Sequence, residues 1–117
     1  MANQSASDLV LDVQRVGSAA VVHLRGSAGM SEADQLKTHL EKLVDEAVAL
    51  IVLELSEMDF ICSNSLGAII SAHVRSRHHN GQIRLVNPQP PVLRLLETTR
   101  LTSLLPIFPS LDQALVS

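Results

Sequence analysis

The segment from Leu50 to Gly67 constrains this chain most, because it runs from an apolar strand through a polar turn into a helix. Leu50 to Leu55 is a short run rich in branched side chains, the pattern of a central strand covered on both faces. Beyond the turn, Leu66, Ile69, Ile70 and Val74 recur at helical spacing, so the hydrophobic period changes from two to near 3.6. Cys62, Ser63, Asn64 and Ser65 fill the junction. A helix start exposes unpaired backbone N–H groups and a partial positive charge, so hydroxyls placed there can cap the helix or present a phosphate to it.

The flanking sequence supplies the rest of an α/β domain. Leu9, Leu11 and Val13 alternate with Val10, Asp12 and Gln14, Gly17-Ser18 makes a turn, and Ala20 to Leu24 forms a second strand, giving an opening hairpin. Gly26 to Gly29 reads as a flexible connection. Ser31 and Asp34 have the spacing of a capping box, followed by a helix with Leu36, Leu40, Leu43, Val44 and Ala47 on one face. The helix after Cys62 spans about Ser65 to Arg77 and stops at Asn80-Gly81, a pair suited to a left-handed cap. Gln82 to Val86 is another strand, and Pro90-Pro91 opens a third helix through Val92, Leu95 and Leu96. Between Leu101 and Phe108, Pro106 limits the chain to a turn and a short edge strand, before Ser110 and Gln113 cap a last helix.

This order predicts one α/β domain over residues 1–117, with a mixed sheet of four to five strands covered by about four helices. Met1 to Ser7 reads as a loose terminus and not as a secretion signal. Helix-linked strands should be parallel, with sites at their carboxyl ends, which places Gly26 to Ser31 and Cys62 to Ser65 together as candidates.

Several function classes are disfavoured. Among 117 residues only Phe60 and Phe108 are aromatic and the formal net charge is −3, so stacking platforms and a basic footprint for nucleic acid are both missing. Ala47 to Leu53, the longest apolar run, falls far short of the roughly 20 residues that span a bilayer. A single cysteine, Cys62, excludes an internal disulfide and suits a reducing compartment, so the expected location is the cytoplasm. Ser63 to Gly67 has a faint likeness to a hydrolase nucleophile elbow, but no adequate acid and base follow it. Cys62 lacks the arginine of a phosphate-cradling Cys-x5-Arg loop, since Ala68 stands there. His73, His78 and His79 lie on different helix faces, so the expectation is no metal and a solvated helix end. No cofactor is implied.

The stretch Glu54-Leu55-Ser56-Glu57-Met58-Asp59-Phe60-Ile61-Cys62-Ser63-Asn64-Ser65-Leu66-Gly67 resembles the signature of STAS domains, the family named for sulfate transporters and anti-sigma factor antagonists. Leu24-Arg25-Gly26 resembles the family's Leu-x-Gly loop, and Asn80-Gly81 and Val92 to Leu105 match its later landmarks. The resemblance implies an anti-anti-sigma factor. Such a protein binds an anti-sigma factor with serine kinase activity, which phosphorylates it to break the complex; a serine phosphatase reverses the step and ATP belongs to the kinase. Matched residue by residue, the family's Asp-Ser-Ser/Thr-Gly falls on Cys62, Ser63, Asn64 and Ser65. The implied phosphoacceptor is Ser63, with Ser65 a second choice, and the implied partner-binding set is Gly26, Ser27, Cys62, Ser63, Asn64, Ser65 and Leu66. The altered positions also suit a STAS scaffold subunit of a transporter or signalling assembly that is not phosphorylated, or a small-ligand sensor at the same helix start.

Overall fold

The computed structural model describes residues 9–116, and the expected loose terminus at residues 1–7 lies outside that range. Strand β1 (Leu9–Val16) turns through Gly17 and Ser18 into the antiparallel β2 (Ala19–Ala28). Then follow α1 (Ala33–Asp45), β3 (Leu50–Ile61), α2 (Ser63–Arg77), β4 (Gln82–Val86), α3 (Pro90–Thr98), β5 (Ile107–Phe108) and α4 (Leu111–Leu115). The sheet order is β1-β2-β3-β4-β5, and every pair joined through a helix is parallel. The α/β class, the mixed sheet and the four helices agree with the expectation from sequence.

The alternation within the strands decides where each layer packs. Ala20, Val22 and Leu24 of β2, Ile51, Leu53 and Leu55 of β3, and Ile83 and Leu85 of β4 join one large core with Leu36, Leu40, Leu43, Leu66 and Ile69 of α1 and α2. Each buried Leu or Ile contributes about 1.5–3 kcal/mol relative to exposure. The intervening residues Val21, Val52 and Val86 face the other way and meet Ala114 of α4 in a smaller cluster. Helix α4 is short and needs its caps. The Ser110 hydroxyl accepts from the Gln113 N–H at 3.2 Å. At the other end, Arg84 Nη1 donates to the carbonyls of Ala114 at 2.8 Å and Val116 at 2.6 Å, its guanidinium lying over the Phe108 ring.

Four expectations are corrected. Strand β2 continues through Gly26 and Ser27 to Ala28, so this stretch is paired backbone and not a flexible connection. Ala47 lies beyond the end of α1 with φ of 64°, turning the chain back toward β3 instead of extending the helical face. Val74 is 48% exposed, and its place in the α2 core is filled by Ala72 and His73, both buried. His73 is accordingly not part of a solvated end, whereas His78 and His79 are exposed.

The stop of α2 is geometric. Asn80 adopts φ of 63°, and the Gly81 N–H then donates to the Ser76 carbonyl at 2.8 Å, closing the last turn. A Cβ on Gly81 would collide with Ser76 Oγ and lie 2.8 Å from the Ala49 carbonyl oxygen, so the backbones of α2 and the β3 entry meet there without room for a side chain. Gly81→Ala should therefore destabilise the fold by about 1–3 kcal/mol, the usual cost of overpacking, read as a fall in urea midpoint with an unchanged slope.

Candidate functional site

The site is built where β2 and β3 end side by side. Their parallel register is interrupted twice: His23 faces Glu54 but Arg25 faces Glu57, and Gly26 faces Met58 but Ser27 faces Phe60. Each step inserts one extra residue into β3, a bulge that breaks its alternation and twists its end. Met58 and Ile61 consequently both point into the core while Asp59 and Phe60 between them point out. Gly26 takes φ of 95° in this stretch, a conformation that favours glycine. The Ser27 hydroxyl donates to Asp59 at 2.7 Å, joining the two strand ends from outside.

After the last pair, Ala28 with Ile61, a short network ties the two helix starts together. The Cys62 N–H donates to the Ala28 carbonyl at 2.9 Å. The Ser65 hydroxyl donates to the Gly29 carbonyl at 2.9 Å, and the Gly29 N–H donates to Glu32 Oε1 at 3.0 Å. Ser31 completes the network with a 3.1 Å hydrogen bond to Glu32 Oε2. Glu32 and Ser65 are 8% and 0% exposed, so each tie has one buried side chain and one partner nearer the surface. The expected Ser31–Asp34 capping box is corrected here: a 3-10 turn at Met30–Glu32 precedes α1, and the Glu32 side chain caps the backbone N–H of Gly29. Asp34 instead lines a groove between α1 and α2 of about 270 Å³, with Lys37, Asn64, Gly67, Ala68 and Ser71.

Within this frame the candidate residues separate. Helix α2 begins at Ser63, two residues earlier than expected, with Cys62 as its N-cap in extended conformation and no side-chain cap. The first-turn N–H groups are thus open to solvent, the turn itself contains no acidic residue, and Ser63 and Asn64 are exposed. Among the described residues no hydrogen bond engages the Ser63 hydroxyl, so it is not the capping group that its type suggests. Cys62 is half-buried, its Sγ 3.9 Å from Ser65 Oγ. Ser65 and Leu66 depart from their assigned roles: Ser65 is wholly buried and hydrogen-bonded, and Leu66, 4% exposed, packs in the core. Gly26 and Ser27 are half-buried at the end of β2.

Sequence reasoning missed the site's apolar surround. Met30, just beyond the end of β2, is 72% exposed, and Phe60, next to the last residue of β3, is 52% exposed. Phe60 was detectable as one of two aromatic residues in the chain, two positions before Cys62; its outward turn was not, because the bulge beneath it leaves no mark in the pattern. Glu32 was hidden for a related reason, since its capping partner is the backbone of a glycine.

The STAS domain family matches residues 10–114, and the chain belongs to it. A candidate anti-anti-sigma factor of Mycobacterium tuberculosis is 32% identical over 85% of this chain and 68% of its own length. The crystal structure of an anti-sigma factor antagonist from Mycobacterium paratuberculosis superposes with a TM-score of 0.84 at 26% identity, covering 95% of both chains. The anti-sigma factor antagonist SpoIIAA in its unphosphorylated form shares the fold, with a TM-score of 0.79 at 18% identity over 90% of this chain and 92% of that one. Among the described residues no helix is long and apolar enough to cross a membrane.

The tie from Ser65 to Gly29 yields a direct test. Ser65→Ala leaves the half-buried Gly29 carbonyl without its donor and should lower unfolding free energy by about 1 kcal/mol. Urea denaturation measures the loss, and faster amide exchange at Met30 to Glu32 should accompany it.

Proposed function

We propose that this protein is an anti-sigma factor antagonist of the bacterial cytoplasm, and that it binds an anti-sigma factor whose kinase activity phosphorylates Ser63. The observation that carries this reading is the exposed, unengaged Ser63 hydroxyl on the first turn of a helix with open N–H groups. A phosphoryl group there would add about −1.5 to −2 charges, which its own chain tolerates because the first-turn N–H groups and helix dipole favour an anion. A docked partner gains no such compensation. The contact surface on this reading comprises Ser63 and Asn64, the apolar Met30 and Phe60 beside them, and the α1–α2 groove. The names of the relatives support the antagonist role, and SpoIIAA is also known in a phosphorylated form. Ser65, buried and hydrogen-bonded, is a poor acceptor beside Ser63.

The test is incubation with a candidate anti-sigma factor kinase and ATP, followed by intact-mass measurement and peptide mapping. One phosphoryl group should appear on Ser63, vanish in Ser63→Ala, and weaken the complex at least tenfold, or about 1.4 kcal/mol. A kinase active on another antagonist that binds this chain and leaves Ser63 unmodified would sink the switch. That outcome would favour the constitutive scaffold suggested by Cys62 and Asn64.

Gly67 tests the surface independently of phosphate. It lies inside α2 on the groove, with nothing within 4 Å of a Cβ built there. Gly67→Ala should raise stability by about 1 kcal/mol through helix propensity while reducing affinity for the partner that packs against the groove. Thermal melts and titration calorimetry separate the two effects.

A further inference from the structure

A second feature lies at the opposite end of α2. Strand β5 is only two residues long and pairs with Leu85 and Val86, so the start of β4 has no strand on that side. The Leu85 N–H reaches the Pro106 carbonyl at 2.9 Å, and the Ile83 N–H, two residues earlier and pointing the same way, finds a side chain instead. It donates to His73 Nδ1 at 3.3 Å. With Nδ1 occupied as an acceptor, the neutral ring carries its proton on Nε2. Burial and the neighbouring Arg77 both lower the His73 pKa, which keeps the ring in that neutral form.

His73 is 4% exposed and lines a cleft of about 410 Å³, and among the described residues no hydrogen bond engages Nε2. The other polar walls are Arg77, His78, Gln82 and Ser103, with no Asp or Glu among the lining residues. Apolar surface completes the cleft: Val74 and Leu104, 48% and 41% exposed, and Pro106. A helix C-terminus ordinarily repels anions, but here the N–H groups of His79 and Gly81 both bond the Ser76 carbonyl and that of Asn80 bonds the Arg77 carbonyl, so these two carbonyls face backbone donors.

We propose that the cleft between the last turn of α2, the open edge of β4 and the 103–106 segment binds a small organic carboxylate bearing a short hydrocarbon chain. The carboxylate meets the Arg77 guanidinium and the His73 Nε2–H, and the hydrocarbon lies on Val74, Leu104 and Pro106. This site is separate from Ser63 and does not depend on the partner switch.

Hexanoate titrated into the full chain and followed by amide NMR is the test. Saturable shifts should be confined to the region of His73, Arg77, His78, Gln82 and Leu104, and the imidazole nitrogen spectrum should show the Nε2–H tautomer with Nε2 responding to the ligand. Binding should weaken at least tenfold with hexan-1-ol or in Arg77→Gln, an exposed position whose replacement leaves the core intact, and acetate should bind more weakly than hexanoate. Absence of saturable shifts at tens of millimolar hexanoate overturns the proposal. So do equal affinity for hexan-1-ol, undiminished binding in Arg77→Gln, or shifts centred on the start of α2.

Discussion

Everything at the candidate site depends on the parallel pairing of β2 with β3 carried to its final residues, Ala28 and Ile61. A parallel pair ends with both carboxyl ends on the same side, so the two following helix starts are neighbours by topology. The two bulges then set how those ends are aimed. They turn Phe60 outward and keep Met58 and Ile61 inward, and the Ser65–Gly29 hydrogen bond draws the second helix start against the first. Without that pairing, Ser63 would be a serine on a loop; with it, Ser63 stands on the open N–H groups of a helix start held against the end of β2.

The division of labour among adjacent residues follows from helical geometry. Ser63 and Asn64 face solvent, whereas Ser65 and Leu66 turn inward within the same stretch. Four neighbouring residues of modest size thus serve two ends: one pair presents chemistry and the other anchors the presenting turn. Ser65 occupies a place where a hydroxyl contributes through a buried hydrogen bond, which is why its polarity in the core is not a liability.

Much of the fold was legible because period and punctuation agree. The β3-to-α2 change of period, the Asn80-Gly81 stop, the Pro90-Pro91 start and the Ser110 cap each have a local cause, and each stands where that cause puts it. What could not be read arises between segments. The continuation of β2 through Gly26 depends on pairing with β3 and overrides the local appearance of a flexible loop. Val74 and His73 exchange their expected places because the open edge of β4 leaves a backbone donor that only a side chain can meet. The candidate site was found through its resemblance and its polar cluster, but which hydroxyl faces outward is decided by Gly29, a residue 36 positions away from Ser65.

Helix α2 is held at both ends, by Ser65 on the Gly29 carbonyl and by the close approach of Gly81 to Ser76 and Ala49. A rod pinned twice has no freedom to slide along its axis or to rotate by a residue. Any message written on its first turn must therefore be electrostatic, carried by what the surface presents while the scaffold keeps its shape. On the proposed phosphorylation of Ser63, the chain would work like a stamp whose relief never changes and whose ink does, legible only to a molecule pressed against it.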